Sequence, residues 1–308
     1  MKFSTYLKTC REKEHLTQEQ LVQELYNFAD CFEGLDITTL SRWERDVTQP
    51  SMEKMLKSVQ MFSKRSNIIF PCFGNSTHNS IEDELCKIGI KNLLGKSKDH
   101  ILNFPSKSFQ VDDIKIKHIC TDEDIDSVLE IPYDTIKNLT GSDSFFEFDL
   151  IKSWAVHPSN LFLLSEHKGH FYGLLFALRL KPIIFEKLMN FDMNPREIST
   201  EHFASFDEMG CNFPLSLFAY NEKSATMLFL RYYAHIIANQ AVIKKIGTTV
   251  LLESGKKLVE KANLQFHKKG ETPMGILSSY QASLSEVLIN EAVLKMIFQK
   301  QDCPEDSC

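Results

Sequence analysis

At 308 residues, with 43% hydrophobic, 11% aromatic and 25% charged side chains, the chain has the composition of a globular protein and the length of about two domains, which excludes a wholly disordered or fibrous protein. Its formal net charge of -6 leaves no overall basic footprint, so any affinity for nucleic acid must come from local placement of Lys and Arg. The opening "MKFSTYLKTCREKEH" lacks the apolar run of a signal peptide, and no stretch of about 18 apolar residues could span a membrane, so the chain is expected in the cytoplasm.

The first segment reads as short helices separated by polar turns. Leu7 and Cys10 begin an apolar face, Thr17 stands where a helix N-cap belongs, and Leu21, Val22 and Leu25 recur at helical spacing. Asp36 can cap the next helix, which carries Ile37, Leu40 and Trp43. Pro50 and Ser51 introduce "MEKMLKSVQMF", whose Met52, Met55, Leu56, Val59 and Phe62 form one stripe. The pattern predicts an all-α module over residues 1–65, followed by a turn-rich linker with one short amphipathic helix over 66–113.

A helix-turn-helix needs one helix against the DNA backbone and a second presenting side chains to base edges. With "LTQEQL" at Leu16 to Leu21 and "TTLSRWERDVTQPS" at Thr38 to Ser51, the opening segment resembles the Cro and phage-repressor class, the XRE family. The resemblance implies that Gln18 binds phosphate and that Ile37, Thr38 and Arg42 read bases from a recognition helix, Asp36 to Arg45, in the major groove. Thr39, Ser41, Arg45 and Thr48 would then lie near phosphates or groove walls, and Trp43 would anchor the helix from inside. It also implies an ion pair between Arg11 and Glu44. Two features depart from the family: an insertion at Tyr26 to Glu33, and Asp46 at a usual glycine. Asp tolerates the left-handed conformation better than most residues.

Beyond Ile114 the pattern becomes mixed. "IKIKHI" reads as a strand, "DEDIDSVLEIPYDTI" as a helix, and "NLFLLSEHKGHFYGLLFALRL" as two strands joined at Lys168 and Gly169. "FPLSLFAY" reads as a further strand, followed by the long helix "EKSATMLFLRYYAHIIANQAV", the strand "TTVLLES", the helix "GKKLVEKAN" and a closing β/α region. Alternating strands and helices predict an α/β or α+β domain with a central mixed sheet over 114–300, before a tail at 301–308.

This order of elements resembles the GCN5-related N-acetyltransferases, the GNAT superfamily. The resemblance places a ligand loop for an acyl-CoA-like molecule at Phe218, Tyr220, Ser224, Ala225 and Thr226. That loop, "NEKSATML", has no glycine, and Glu222 stands where phosphate would sit. The general-acid tyrosine of the family falls on Val259, the following glycine on Asn263 and an aromatic on Leu264. These departures weigh against catalysis and against bound acetyl-CoA or a related ligand, so no cofactor is expected. Tyr232 and Tyr233 read as core, and His167 and His170 as solvated turn residues rather than metal ligands. The eight cysteines show no C-x-x-C pair and read as reduced thiols.

Taken together, the sequence predicts a transcriptional regulator, cytoplasmic and nucleoid-associated. It would bind a double-stranded DNA operator as a homodimer, and its non-catalytic acetyltransferase-like domain would sense a small-molecule or protein effector or drive oligomerisation. The alternative is an acetyl-CoA-dependent N-acetyltransferase fused to a DNA-binding domain.

Overall fold

The computed structural model describes residues 1–66, 68–73, 78–94, 114–119, 148–251, 253–272 and 275–298. The loop read over "NFPSKSFQVDD" and the helix read over "DEDIDSVLEIPYDTI" lie outside the described residues. The chain divides into two compact units. One comprises Met1–His100, Tyr233–Ala241 and Leu288–Cys308; the other comprises Ile101–Tyr232 and Val242–Val287.

In the first unit, helices α1 (Phe3–Lys13), α2 (Gln18–Phe28), α3 (Ile37–Glu44) and α4 (Met52–Ser63) follow one another, then α5 (His78–Leu94). Local chemistry fixes their starts. Thr17 and Gln20 form a reciprocal capping box, Gln20 N donating to Thr17 Oγ1 at 3.1 Å and Thr17 N to Gln20 Oε1 at 2.8 Å. Asp36 caps α3 by accepting from Thr39 N at 2.6 Å, and this bond holds its carboxyl below the usual carboxylate range. Asp46, just past α3, has φ 59°, the left-handed geometry in which Asp replaces glycine. The Tyr26 to Glu33 insertion carries α2 on to Phe28 and adds a single 3-10 turn, Asp30–Phe32, which buries Phe32 completely.

Leu7, Leu21, Leu25, Leu40, Trp43 and Val59 fill the space between these helices, each such side chain contributing about 1.5–3 kcal/mol. A second cluster joins Phe3, Tyr6, Phe62 and Phe70 to Phe298, with the Phe3 and Phe298 rings edge-to-face at 5.2 Å. Gln240 satisfies the backbone of the chain leaving α4, accepting from Ile69 N and Phe70 N and donating to Phe70 O.

The second unit is built on a mixed sheet. Its strands are β1 (Lys115–His118), β2 (Leu161–His167), β3 (His170–Leu180), β4 (Gly210–Ala219), β5 (Ile243–Val250), β6 (Gln265–Thr272) and β7 (Gly275–Ser283). They lie in the order β1-β2-β3-β4-β5-β7-β6, and every neighbouring pair is antiparallel except β4 with β5. The β2–β3 hairpin turns at Lys168 (φ 49°) and Gly169 (φ 78°), the two left-handed positions of a tight hairpin turn.

The helices between the strands are α6 (Phe148–Ala155), α7 (Pro182–Met189), α8 (Glu222–Ala238) and α9 (Glu253–Lys261), with α10 (Leu284–Leu288) and α11 (Glu291–Ile297) after β7. One face of the sheet packs Phe162, Leu164, Leu174, Phe176, Cys211 and Phe213 against Trp154 of α6 and Phe185 and Leu188 of α7. On the other face, Gly255 of α9 sits against Val250 of β5. Helix α8 runs from the second unit into the first, the division falling between Tyr232 and Tyr233. This seven-stranded mixed sheet with flanking helices makes an α/β domain. Among the described residues no helix is long and apolar enough to cross a membrane.

Candidate functional site

The parallel pair β4–β5 comes apart. Three registers join the strands, Gly210 with Ile243, Cys211 with Lys245 and Asn212 with Ile246, and no pairing is described beyond them although β4 runs on to Ala219 and β5 to Val250. The separation begins at Pro214, which has no N–H to give to a ladder. Thr248 Oγ1 reaches across and donates to Pro214 O at 2.6 Å. Above that point the backbone groups of β4 and β5 that would have paired face a wedge at the carboxyl ends of two parallel strands, where α/β sheets place ligands.

Helix α8 starts at the mouth of this wedge. Asn221 precedes it and accepts from Ser224 N at 2.8 Å, while Ala225 N donates to Asn221 O at 3.1 Å, so an ordinary asparagine cap starts the helix. None of residues 219–226 has a positive φ. The absence of glycine from "NEKSATML" is therefore no defect, because this turn needs no left-handed residue. The N–H groups of Glu222 and Lys223 stand in the first helical turn, where helix geometry supplies no acceptor and the dipole favours an anion.

The first turn of α8 is clamped to the sheet. Ser224 Oγ donates to Ser165 Oγ at 2.6 Å and also lies 3.1 Å from Tyr172 O. The approach is close enough that a Cβ at Gly173 would fall 2.6 Å from Phe218 O and 2.9 Å from Ser224 Oγ. Of the residues expected in the ligand loop, Ser224, Ala225 and Thr226 are buried in the first turns of α8. Phe218 and Tyr220 stand at the end of β4 beside Phe171, with the Tyr220 ring edge-on to Phe218 at 4.8 Å, and Tyr220 is exposed.

At the closed end of the wedge, Tyr232 Oη donates to Asn212 Oδ1 at 2.7 Å. Val259 is buried on α9, and Asn263 beyond that helix takes φ 60°, the left-handed position the sequence pattern gives to glycine. Burial pushes the Cys211 thiol up to about 11. Sequence reading missed the opening at Pro214, although a proline inside a strand between two partners is the signal for it.

In the first unit, Ile37, Thr38 and Arg42 are exposed on α3 and Arg45 is exposed just past its end, while Thr39, Ser41 and Thr48 are half-buried. Arg45 Nε donates to Ser41 O within its own helix turn. Arg11 grips Glu44 with two bonds, Nε to Oε1 at 2.6 Å and Nη2 to Oε2 at 3.1 Å. Gln18, expected at a phosphate, gives its amide to Glu44 Oε2 at 2.7 Å.

No protein-family model matches the chain, and no curated protein does. Solved structures do match it. An N-acetyltransferase from Staphylococcus aureus is 16% identical, covering 56% of this chain and 98% of its own, with a TM-score of 0.38. A polyamine N-acetyltransferase of Drosophila melanogaster is 9% identical over 56% of this chain and 100% of its own, with a TM-score of 0.39. An aminoglycoside acetyltransferase in complex with coenzyme A is 12% identical over 56% of this chain and 96% of its own, with a TM-score of 0.35.

These findings correct the regulator reading. The matching structures named here are acetyltransferases and not operator-binding proteins. The glycine-free turn builds a capped helix start.

Proposed function

We propose that the chain is an acetyl-CoA-dependent N-acetyltransferase whose acyl donor lies in the wedge between β4 and β5. The observation that carries this reading is the separation of the two parallel strands at Pro214 directly beneath the start of α8. The residues fit such a donor. A pantetheine arm is an extended amide chain, and the unpaired backbone groups of β4 beyond Pro214 offer it a ladder. The pyrophosphate would meet the N–H groups of Glu222 and Lys223 and the side chain of Lys223, a helix N-terminus with a cation on it. When bound, the donor supplies an acetyl group activated as a thioester.

The protein's own contribution is placement. Ser224 and Gly173 hold the helix start at a fixed height over the sheet, and Thr248 and Pro214 set where the wedge closes. Amide carbonyls and N–H groups of the separated strands surround the position of the reacting carbonyl, where oriented dipoles stabilise developing charge.

The test is turnover. Acetyl-CoA is incubated with the full chain and a panel of primary amines, polyamines and aminoglycosides included, while free thiol and acetylated product are followed. Amine-dependent thiol release with a matching mass gain of one acetyl group supports the reading. Thiol release no faster than without protein, across the panel, contradicts it.

A further inference from the structure

Strand β4 lies inside the sheet, between β3 and β5, yet its burial changes partway along. Gly210 to Phe213 are buried, whereas Pro214 to Phe218 are half-buried, as are Thr248 and Thr249 on β5. Side chains alternate between the two faces of a strand, so a continuous run of half-exposed residues marks an opened edge and not one bare face. The wedge is open as far down as Pro214, and its floor there is a side chain. In the parallel register the pair after Asn212 with Ile246 would be Pro214 with Thr248. At that level the Thr248 hydroxyl, donating to Pro214 O at 2.6 Å, stands in for the missing ladder bond.

The space beneath this bridge is filled. A Cβ on Gly247 would fall 2.8 Å from Phe185 Cζ and 2.9 Å from Met189 Sδ, Phe213 is 1% exposed, and the Asn212 side chain is tied to Tyr232. Length relates the floor to the donor. From Ala219 down to Pro214, β4 runs about 17 Å at about 3.3 Å per residue. A pantetheine arm has about thirteen bonds between phosphorus and sulfur, and an extended chain advances about 1.2 Å per bond, which gives about 15 Å. A donor whose phosphates rest at the start of α8 and whose arm follows β4 therefore brings its thioester to the level of the bridge. Further acyl carbons would meet the floor.

We propose that Thr248 sets the length of acyl group the wedge accepts: an acetyl group fits above its bridge to Pro214, and a butyryl or longer group does not. This rests on the transferase reading above. The hydroxyl acts by position, holding β4 and β5 together where a longer chain would have to part them, and it touches no reacting atom. A longer chain must break the bridge or press on Phe213 and Gly247 below it. One misfitted methylene in a packed pocket discriminates by about tenfold or more.

Affinity measures this without an acceptor. Coenzyme A and its acetyl, propionyl, butyryl and hexanoyl thioesters are titrated calorimetrically into the wild-type chain, Thr248→Ser and Thr248→Ala, with the melting temperature of each protein recorded in parallel. Wild type is expected to bind acetyl-CoA about as tightly as coenzyme A, and butyryl-CoA about tenfold or more weakly. Thr248→Ser keeps the hydroxyl and should keep that ratio. Thr248→Ala loses the bridge and should bring butyryl-CoA to within about threefold of acetyl-CoA. The wild-type series tests the floor without any substitution, so the outcome does not hang on how well Thr248→Ala folds. Butyryl-CoA binding wild type as tightly as acetyl-CoA overturns the assignment of Thr248. So does a Thr248→Ala protein that melts lower but keeps the wild-type acyl ratio, which gives Thr248 a structural role alone. In both cases bound coenzyme A leaves the transferase reading standing. Failure of coenzyme A and of every thioester to bind wild type overturns both.

Discussion

Gly173→Ala is the substitution in which fold and site are most tightly linked. The added Cβ would lie 2.6 Å from Phe218 O, 2.9 Å from Ser224 Oγ and 3.0 Å from Ala219 Cα, where ordinary contact begins at 3.4 Å. Two of these neighbours are backbone of β4 and the third is a serine already hydrogen-bonded to Ser165 and Tyr172, so no flexible side chain can swing aside. Relieving the closest contact requires a movement of about 0.8 Å (3.4 against 2.6 Å) of β4 or α8 away from β3. Overpacking of this kind costs about 1–3 kcal/mol, and losing the buried Ser224 hydroxyl bonds adds about 1–2 kcal/mol. At about 2–4 °C per kcal/mol for a domain of this size, the melting temperature should fall by about 4–20 °C. Differential scanning calorimetry gives the shift, with Ser224→Ala as the control that removes the bonds without the added volume. If Gly173→Ala melts within about 1 °C of wild type, the close approach of α8 to the sheet is not what holds the helix start in place.

Other expectations follow from the same geometry. Glu44→Ala leaves the Arg11 guanidinium facing a site where the Glu44 side chain was only 4% exposed, and should cost about 3–5 kcal/mol in urea unfolding, so an unchanged midpoint contradicts a stabilising role for the pair. Asp36 has a folded pKa depressed by the Thr39 N–H, so its cap stabilises α3 above the ordinary carboxylate range and is lost as pH falls through the folded value. Asp36→Ala should therefore melt lower than wild type at neutral pH, with the gap narrowing as pH falls below the ordinary carboxylate range, and a gap that does not narrow at all in acid refutes the cap. Burial pushes the thiols of Cys10 up to about 12 and Cys211 up to about 11, so iodoacetamide at neutral pH should spare both in the folded protein and modify both in urea, as read by peptide mass.

Much of the fold was legible because the residues that set it act locally. Lys168 and Gly169 announce a hairpin, Thr17 and Asp36 announce helix starts, and Asp46 and Asn263 occupy left-handed positions that only a few residue types accept. The site was less legible because it depends on what is missing between two strands far apart in sequence. Pro214 signals a lost ladder bond, but only the register of β4 against β5 shows that the loss opens a wedge. "NEKSATML" depends in the same way on a residue distant in sequence. Judged as a glycine pattern it looks broken, whereas Asn221 starts α8 by capping and Gly173, on a different strand, supplies the close approach that the loop itself does not.

The central claim is that the wedge between β4 and β5 takes the acyl donor. Isothermal titration of coenzyme A into the full chain tests it most directly, alongside a Lys223→Glu variant that removes the cation at the start of α8 and adds a second carboxylate beside Glu222. Binding in the micromolar range, about -8 kcal/mol, that weakens by tenfold or more in the variant is the predicted result. No heat of binding at millimolar coenzyme A, or equal affinity for wild type and variant, would contradict the account.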